Sequence, residues 1–395
     1  MPYYRRVGEI PHKKHVQFRR PDGKLYNEEL ISQQGFSSSG TLLYHREVPT
    51  AIAKVEPISA SASASAAATG ELTPHHPLQP RLFHTHDLPV GGDLVMSRQL
   101  LLGNDDVRLS YVAATTESEL YRSAMGDEVV FIETGGARLE TVLGVLEVGE
   151  GDWVVIPTNL THRWLPHGEV RALVIESRGH TYAPRRYLTE FGQFIEGAPY
   201  SERDLRGPDQ VLVVEDQEAS VLVRHPHGLT RYAYVHHPFD VVGWDGYVWP
   251  FALNVRDFEP IVGRIHQPPP VHQTFAGPNF VLCSFVPRPF DFGEDSIPVP
   301  YNHHNVDSDE VLFYVAGDFM SRRGAGVRAG SISLHPTGFI HGPQPGSAEA
   351  AIGKPRTDEL AIMLDTFRPL SLGPAAIAAE DTEYAWSWMR CEQAQ

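Results

Sequence analysis

One spacing template occurs twice in this chain, and the duplication restricts the possible folds more than any other feature. In the second half, Glu310 is followed by six residues and Gly317, and Gly330 by five residues, Pro336, one residue, Gly338, two residues and His341. In the first half, Glu128 is followed by six residues and Gly135, and Gly151 by five residues, Pro157, Thr158-Asn159, two residues and His162. Glycines close turns at positive φ, and the proline stops a strand from continuing. Asn159 stands where the second copy has Gly338, and Asn is the side chain that best tolerates the left-handed region. A carboxylate and an imidazole delivered from strand ends in this way can converge on one site. Two copies predict two units of like fold.

The copies differ where it matters. His303 stands seven residues before Glu310, whereas Tyr121 stands seven before Glu128, and no histidine occurs between Asp105 and Asp127. The second copy therefore offers two imidazoles and one carboxylate, His303, Glu310 and His341. Such a set holds a divalent metal on one face and leaves the other open, the arrangement of non-haem Fe(II) oxygenases. His304, adjacent to His303, is an alternative ligand. The first copy offers only Glu128 and His162, too few for a tight site, and is expected to be structural.

These spacings resemble the paired motifs of the cupin superfamily, whose first motif reads His-x-His, a short gap, Glu, six residues, Gly. Here Asn305 occupies the second His of that motif. The resemblance implies an all-β protein, a bicupin of two double-stranded β-helix (jelly-roll) barrels with N- and C-terminal arms. Gly 34 and Pro 32 in 395 residues suit such a turn-rich architecture, and 42% hydrophobic residues suffice for two cores. A net charge of -16 argues against nucleic acid or an anionic membrane as partner. There is no apolar run of membrane-spanning length and no signal peptide at Met1-Pro2-Tyr3-Tyr4-Arg5-Arg6. Two cysteines, Cys283 and Cys391, make no disulfide framework, so a cytoplasmic location is expected.

The expected organisation is an N-terminal arm and flexible Ala/Ser loop over 1–90, and a first barrel without a complete metal site over 91–177. A connector follows over 178–208, then the catalytic barrel over 209–370 and a tail over 371–395. The low-complexity run at 58–68 reads as a mobile loop. His84-Thr85-His86 lacks a carboxylate at barrel spacing and is not expected to bind metal.

Further stretches resemble homogentisate 1,2-dioxygenases, most closely the bacterial branch. They are the opening Pro2-Tyr3-Tyr4-Arg5 with Gly8 and Pro11-His12-Lys13, then Gly243-Trp244-Asp245-Gly246, then Arg264-Ile265-His266-Gln267-Pro268-Pro269-Pro270-Val271-His272-Gln273, and Ser333-Leu334-His335 leading to His341-Gly342-Pro343. The resemblance covers nearly the whole chain and is densest from 243 to 345. It implies O2-dependent opening of the ring of homogentisate to maleylacetoacetate, in tyrosine and phenylalanine breakdown. It further implies one Fe(II) on His303, Glu310 and His341, an acid/base histidine at His266, and His335 near the iron. A homo-oligomer, trimer or hexamer, is implied as well. A histidine suits the acid/base role because its ordinary pKa lies near neutrality. His272 reads as structural. Asn305 is placed to hydrogen-bond a ligand or an oxygen adduct. The substrate carboxylate calls for a cation, with Arg264, Arg288, Arg322 and Arg323 as candidates. The position where the resemblance implies a substrate-facing aromatic hydroxyl is Phe319, which leaves a gentisate-like or substituted hydroquinone, or a metal-binding bicupin that is not an oxygenase, as alternatives.

Overall fold

The computed structural model describes residues 3–58, 71–214, 217–322 and 324–392. Beyond residue 58, the Ala/Ser-rich run lies outside the described residues, as does Arg323. The protein is a bicupin, as the duplicated template predicts. Three seven-stranded sheets make up most of it.

Two of these sheets form the first barrel. One runs Gly144–Gly149, Gly136–Thr141, His162–Pro166, Leu120–Ser123, Ala219–His225, Gly228–Tyr234 and Ile52–Ile58. The other runs Phe251–Asn254, Asp152–Ile156, Glu128–Thr134, Val170–Ser177, Val107–Ala114, Gln99–Gly103 and Ser371–Leu372. The third sheet is the main wall of the second barrel: Gln273–Gly277, Phe280–Phe285, Leu360–Thr366, Asp309–Ala316, Ser331–His335, Arg81–His84 and Glu380–Asp381. Its opposite wall is much less regular. It holds the two-stranded pair Arg288–Pro289 with Arg356–Thr357 and the bridge His303↔His341. Prolines at 287, 289, 298 and 300 explain this, since each removes a ladder donor. The opened wall leaves room for a cavity.

The template residues behave as their chemistry requires. Asn159 takes φ 63, the conformation that Gly338 supplies in the second copy. Gly317 has φ +94, and a Cβ there would come within 2.1 Å of the Asp358 carbonyl oxygen, so no side chain fits. The two barrels share one apolar core. Phe131 meets Phe313 at 6.5 Å and Trp153 meets Phe275 at 6.1 Å, both edge-on. The Trp153 indole N–H donates to Ser284 Oγ at 3.0 Å, so the one polar atom of that side chain is satisfied where it crosses the seam.

Strand pairing divides the chain differently from the sequence expectation. Strands between 219 and 254 pair with the first half, so the division falls near 257 rather than near 209. The N-terminal region is paired into the body of the protein. Arg5–Gly8, Asn27–Ser32 and Gly40–His45 build a four-stranded sheet with Val241–Gly246, Ile52–Ile58 extends the first barrel, and Arg81–His84 lies in the second. His84 and His86 have separate partners. His84 faces Ser331, and His86 bonds Glu133 at 2.7 Å.

That N-terminal sheet carries a buried charge cluster with a pH signature. The His45 ring, 2% exposed, lies 2.5 Å from Asp240 through Nδ1 and 2.8 Å from Glu29 through Nε2. Burial alone lowers the imidazole pKa, but hydrogen bonds to Asp240 and then Glu29 carry it up to about 9. A raised folded-state pKa gives stability that is complete below the unfolded value, about 6.5, and is lost as pH rises through 9. Denaturant unfolding should therefore show a loss of up to about 3 kcal/mol between pH 6.5 and 9.5. His45→Gln should flatten that dependence, and an unchanged slope would remove His45 as its source. The adjoining cavity is only about 60 Å³, too small for an aromatic ring.

Candidate metal centre

In the second barrel the sequence template assembles three donors. Glu310 lies on Asp309–Ala316, and the short bridge His303↔His341 crosses beside it, with each backbone N–H donating to the other carbonyl at 2.8 Å. Ligand atoms of His303, Glu310 and His341 lie within 4.8 Å of one another. His304 is exposed and is not among the three converging donors. The first barrel repeats this register with Tyr121 opposite His162, which matches Tyr121 to His303.

The donor set fits a divalent metal. His303 Nδ1 lies 3.0 Å from the carbonyl of Tyr301, and His341 Nδ1 lies 3.1 Å from that of Phe339. Both rings thus donate Nδ1–H to a carbonyl two residues upstream. That hydrogen bond fixes the tautomer and leaves the Nε2 lone pair to face the site. His303 Nε2 stands 3.6 Å from Glu310 Oε2 and His341 Nε2 stands 3.3 Å from Glu310 Oε1. His341 Nε2 is buried without a hydrogen-bond partner. Lone pairs facing carboxylate oxygens at such distances repel unless a proton or a metal ion lies between them, and a divalent ion would satisfy both imidazoles at once. Burial pushes the Glu310 carboxyl up, but the surrounding imidazoles more than offset this and hold it well below the usual range. It is an anion throughout the working pH range.

His335 is in a different place. It is fully buried at the end of Ser331–His335, directly across from Glu310. Its Nδ1 lies 2.9 Å from Glu310 Oε1 and its Nε2 lies 2.9 Å from the Tyr384 hydroxyl. Burial lowers its pKa to about 3, so the ring is neutral, donating to Glu310 through Nδ1–H and accepting from Tyr384. It orients the carboxylate from behind. Tyr384, 1% exposed, comes from the tail, and nothing in the sequence pattern linked it to the site.

The donors open onto a cavity of about 250 Å³, near the lower end of the roughly 300–1,000 Å³ usual for small-molecule sites. Phe285, Leu312 and Met363 give it apolar surface, and His266, Asn305 and Asp365 give it polar groups. His266 packs edge-on against Tyr301 at 5.2 Å, one residue pair from His303. The Asn305 Nδ2 is buried without a partner. Burial lowers the His272 pKa to about 3, so that ring is a neutral wall residue. Phe319 does not face the cavity. It packs on Tyr314 at 5.2 Å, and it is Tyr314 that lines the space, with its hydroxyl 3.1 Å from Ser333 Oγ. Of the candidate arginines, Arg288 and Arg322 line the cavity and Arg264 does not. Asp365, missed in the sequence, lies directly across from Glu310 on Leu360–Thr366. Burial and then the Glu310 charge push its carboxyl well above the ordinary value.

Sequence models of the N-terminal and C-terminal domains of homogentisate 1,2-dioxygenase match residues 105–255 and 257–395. The chain belongs to the homogentisate 1,2-dioxygenase family. The boundary between the two matches coincides with the division by strand pairing. A Saccharolobus solfataricus protein, named only as a candidate dioxygenase, is 38% identical over 98% of this chain and 99% of its own. Homogentisate 1,2-dioxygenases of Nitrobacter hamburgensis and Emericella nidulans are 28% and 27% identical, over 67% and 59% of this chain and 62% and 53% of theirs. Among solved structures, a cupin barrel protein of Leptotrichia buccalis is 10% identical over 73% of this chain and 96% of its own, with a TM-score of 0.32.

The first barrel of this homogentisate 1,2-dioxygenase family member keeps the geometry but not the donors. His162 Nδ1 lies 3.0 Å from the carbonyl of Leu160, the same two-residue tether, and its Nε2 is buried without a partner. Where a metal would sit, the fully buried Arg98 guanidinium bonds both Glu128 oxygens, at 2.7 and 3.1 Å, and Glu176 at 3.2 Å. The Tyr121 hydroxyl donates to Glu128 at 3.0 Å. In this barrel the template carboxylate is paired with a buried cation of the protein itself.

Proposed function

We propose that this protein is an Fe(II)- and O2-dependent ring-cleaving dioxygenase that opens homogentisate to maleylacetoacetate in tyrosine and phenylalanine catabolism. The observation that carries the reading is the pair of tethered imidazoles and one carboxylate on the wall of a cavity sized for one aromatic ring. His303, Glu310 and His341 would hold Fe(II) and leave positions free for substrate and O2. Bound there, the iron supplies the electronic link between a dihydroxylated ring and O2. The protein's own groups do the rest. His266 takes a phenolic proton, a task suited to an imidazole. His335 and Tyr384 hold the Glu310 carboxylate in place. Asn305 offers a buried N–H to an oxygen in the cavity. Both oxygen atoms end in the product.

Arg288 is the cation we assign to the substrate carboxylate. Its Nη1 donates to the Val286 carbonyl at 3.1 Å, and no carboxylate among the described residues pairs with it. Arg322, by contrast, is committed to the Gly342 carbonyl and the Tyr314 hydroxyl. Arg288→Met should raise KM for the acid about 10-fold or more, in keeping with a lost charged hydrogen bond of roughly 1.5–3 kcal/mol, and leave KM for its methyl ester unchanged. Equal effects on acid and ester would exclude the assignment.

A second reading uses the same cavity, and Phe319, packed on Tyr314 and outside the lining, does not decide between the two. In that reading the substrate is another hydroquinone, gentisate or a substituted homogentisate. Comparing kcat/KM across homogentisate, gentisate and ring-substituted homogentisates decides between them. A homo-oligomer, trimer or hexamer, in the cytoplasm completes the proposal. Its support is the family resemblance and the exposed apolar side chains Phe292, Val306 and Ile340 on the loops that carry the site. Among the described residues, no helix is long and apolar enough to cross a membrane.

A further inference from the structure

The two barrels are internal copies, so each position of the second site has a counterpart in the first. Glu128 lies directly across the ladder from Glu176, and Glu310 lies directly across from Asp365. In the first barrel both carboxylates engage the same cation, with Arg98 Nη1 2.7 Å from Glu128 and 3.2 Å from Glu176. In the second barrel Asp365 faces the cavity beside Glu310 with Oδ1 buried and without a hydrogen-bond partner. Among the described residues, no lysine or arginine pairs with it. Two neighbouring carboxylates in a poorly hydrated wall are costly without a cation. A divalent ion on His303, Glu310 and His341 would supply the two positive charges that balance Glu310 and Asp365 together.

The geometry points to Asp365 as a positioning residue of the metal centre, accepting a hydrogen bond from the hydroxyl-bearing oxygen held beside the ion. That oxygen is a water in the resting site and a substrate hydroxyl when substrate is bound. Asp365 is one methylene shorter than its counterpart Glu176 and lies outside the trio whose donor atoms converge within 4.8 Å. It therefore stands outside the direct donors while facing the same cavity. This inference rests on the metal site proposed above but not on the identity of the substrate.

Cobalt(II) binding to the full chain tests it, read by chelator competition and by the visible spectrum. Asp365→Asn keeps the shape and removes the charge, and should weaken cobalt affinity about 10–100-fold, the usual cost of losing an outer partner. Its spectrum should remain that of the wild type, because the three direct donors are intact. Asp365→Glu restores reach to the ion and should change the spectrum as a fourth protein donor enters. Wild-type affinity in Asp365→Asn together with a wild-type spectrum in Asp365→Glu would overturn the inference. If Asp365→Asn weakens binding while the wild type opens no aromatic ring, the inference stands and the proposed reaction falls. If the wild type binds no cobalt, both fall.

Discussion

Glu310→Gln is expected to abolish iron loading and oxygen uptake together. Glu310 is the one carboxylate among the three converging donors, and it also receives the Nδ1–H of His335 at 2.9 Å. An amide at that position carries no charge for the ion and competes with His335 for orientation. The loss should therefore exceed the roughly 100-fold that removal of an outer partner can cost. The fold should survive, since the side chain borders the cavity wall and not the apolar core shared by the barrels. Iron per chain after anaerobic loading and chelator challenge is the measurement, with circular dichroism as the folding control. Wild-type iron content in the variant would remove Glu310 from the ligand set.

Arg98→Met should have the largest effect on stability. The Arg98 guanidinium is 0% exposed and neutralises Glu128 and Glu176 in the middle of the first barrel. Desolvation by itself would weaken its charge, but the attraction and hydrogen bonds of Glu128 more than restore it. Arg224 also bonds Glu176, so one carboxylate keeps a cation and Glu128 is stranded. Removing one partner of a buried pair costs about 3–5 kcal/mol, and denaturant unfolding should show a loss of that size. Adding Glu128→Gln to Arg98→Met should recover part of it, because the stranded charge is then gone. A loss under about 1 kcal/mol in the single variant would contradict the view that an arginine fills the place of a metal.

The barrels were legible because their signals are local. A glycine at positive φ, a proline ending a strand and an acid a fixed number of residues before the turn are each required by geometry within a dozen residues. The φ of Asn159 bears this out directly. The N-terminal sheet was not legible, since Arg5–Gly8 finds Val241–Gly246 across more than 200 residues of sequence and nothing in its composition names that partner. The same holds for Tyr384, whose hydroxyl reaches His335 from the tail. Arg98 and Asp365 left faint marks, each a lone charge beside an apolar run, Leu100-Leu101-Leu102 and Leu360-Ala361-Ile362-Met363-Leu364. Only the folded structure shows that each lies next to a template glutamate, Arg98 by its hydrogen bonds to Glu128 and Asp365 by its place across the ladder from Glu310. The seven-residue spacing before Glu310 and the pattern Tyr301-x-His303-x-Asn305 both favour His303 over His304, and the register of Tyr121 opposite His162 gives a physical reason for that spacing.

The most direct test of the proposed chemistry is to give the anaerobically iron-loaded protein homogentisate under 18O2 and weigh the product. The account predicts one O2 consumed per ring opened, two heavy oxygen atoms in the product, and no turnover after the iron is removed. Iron bound firmly at His303, Glu310 and His341 with no oxygen uptake on any hydroquinone would contradict it, and would make this chain a metal-binding bicupin that is not an oxygenase.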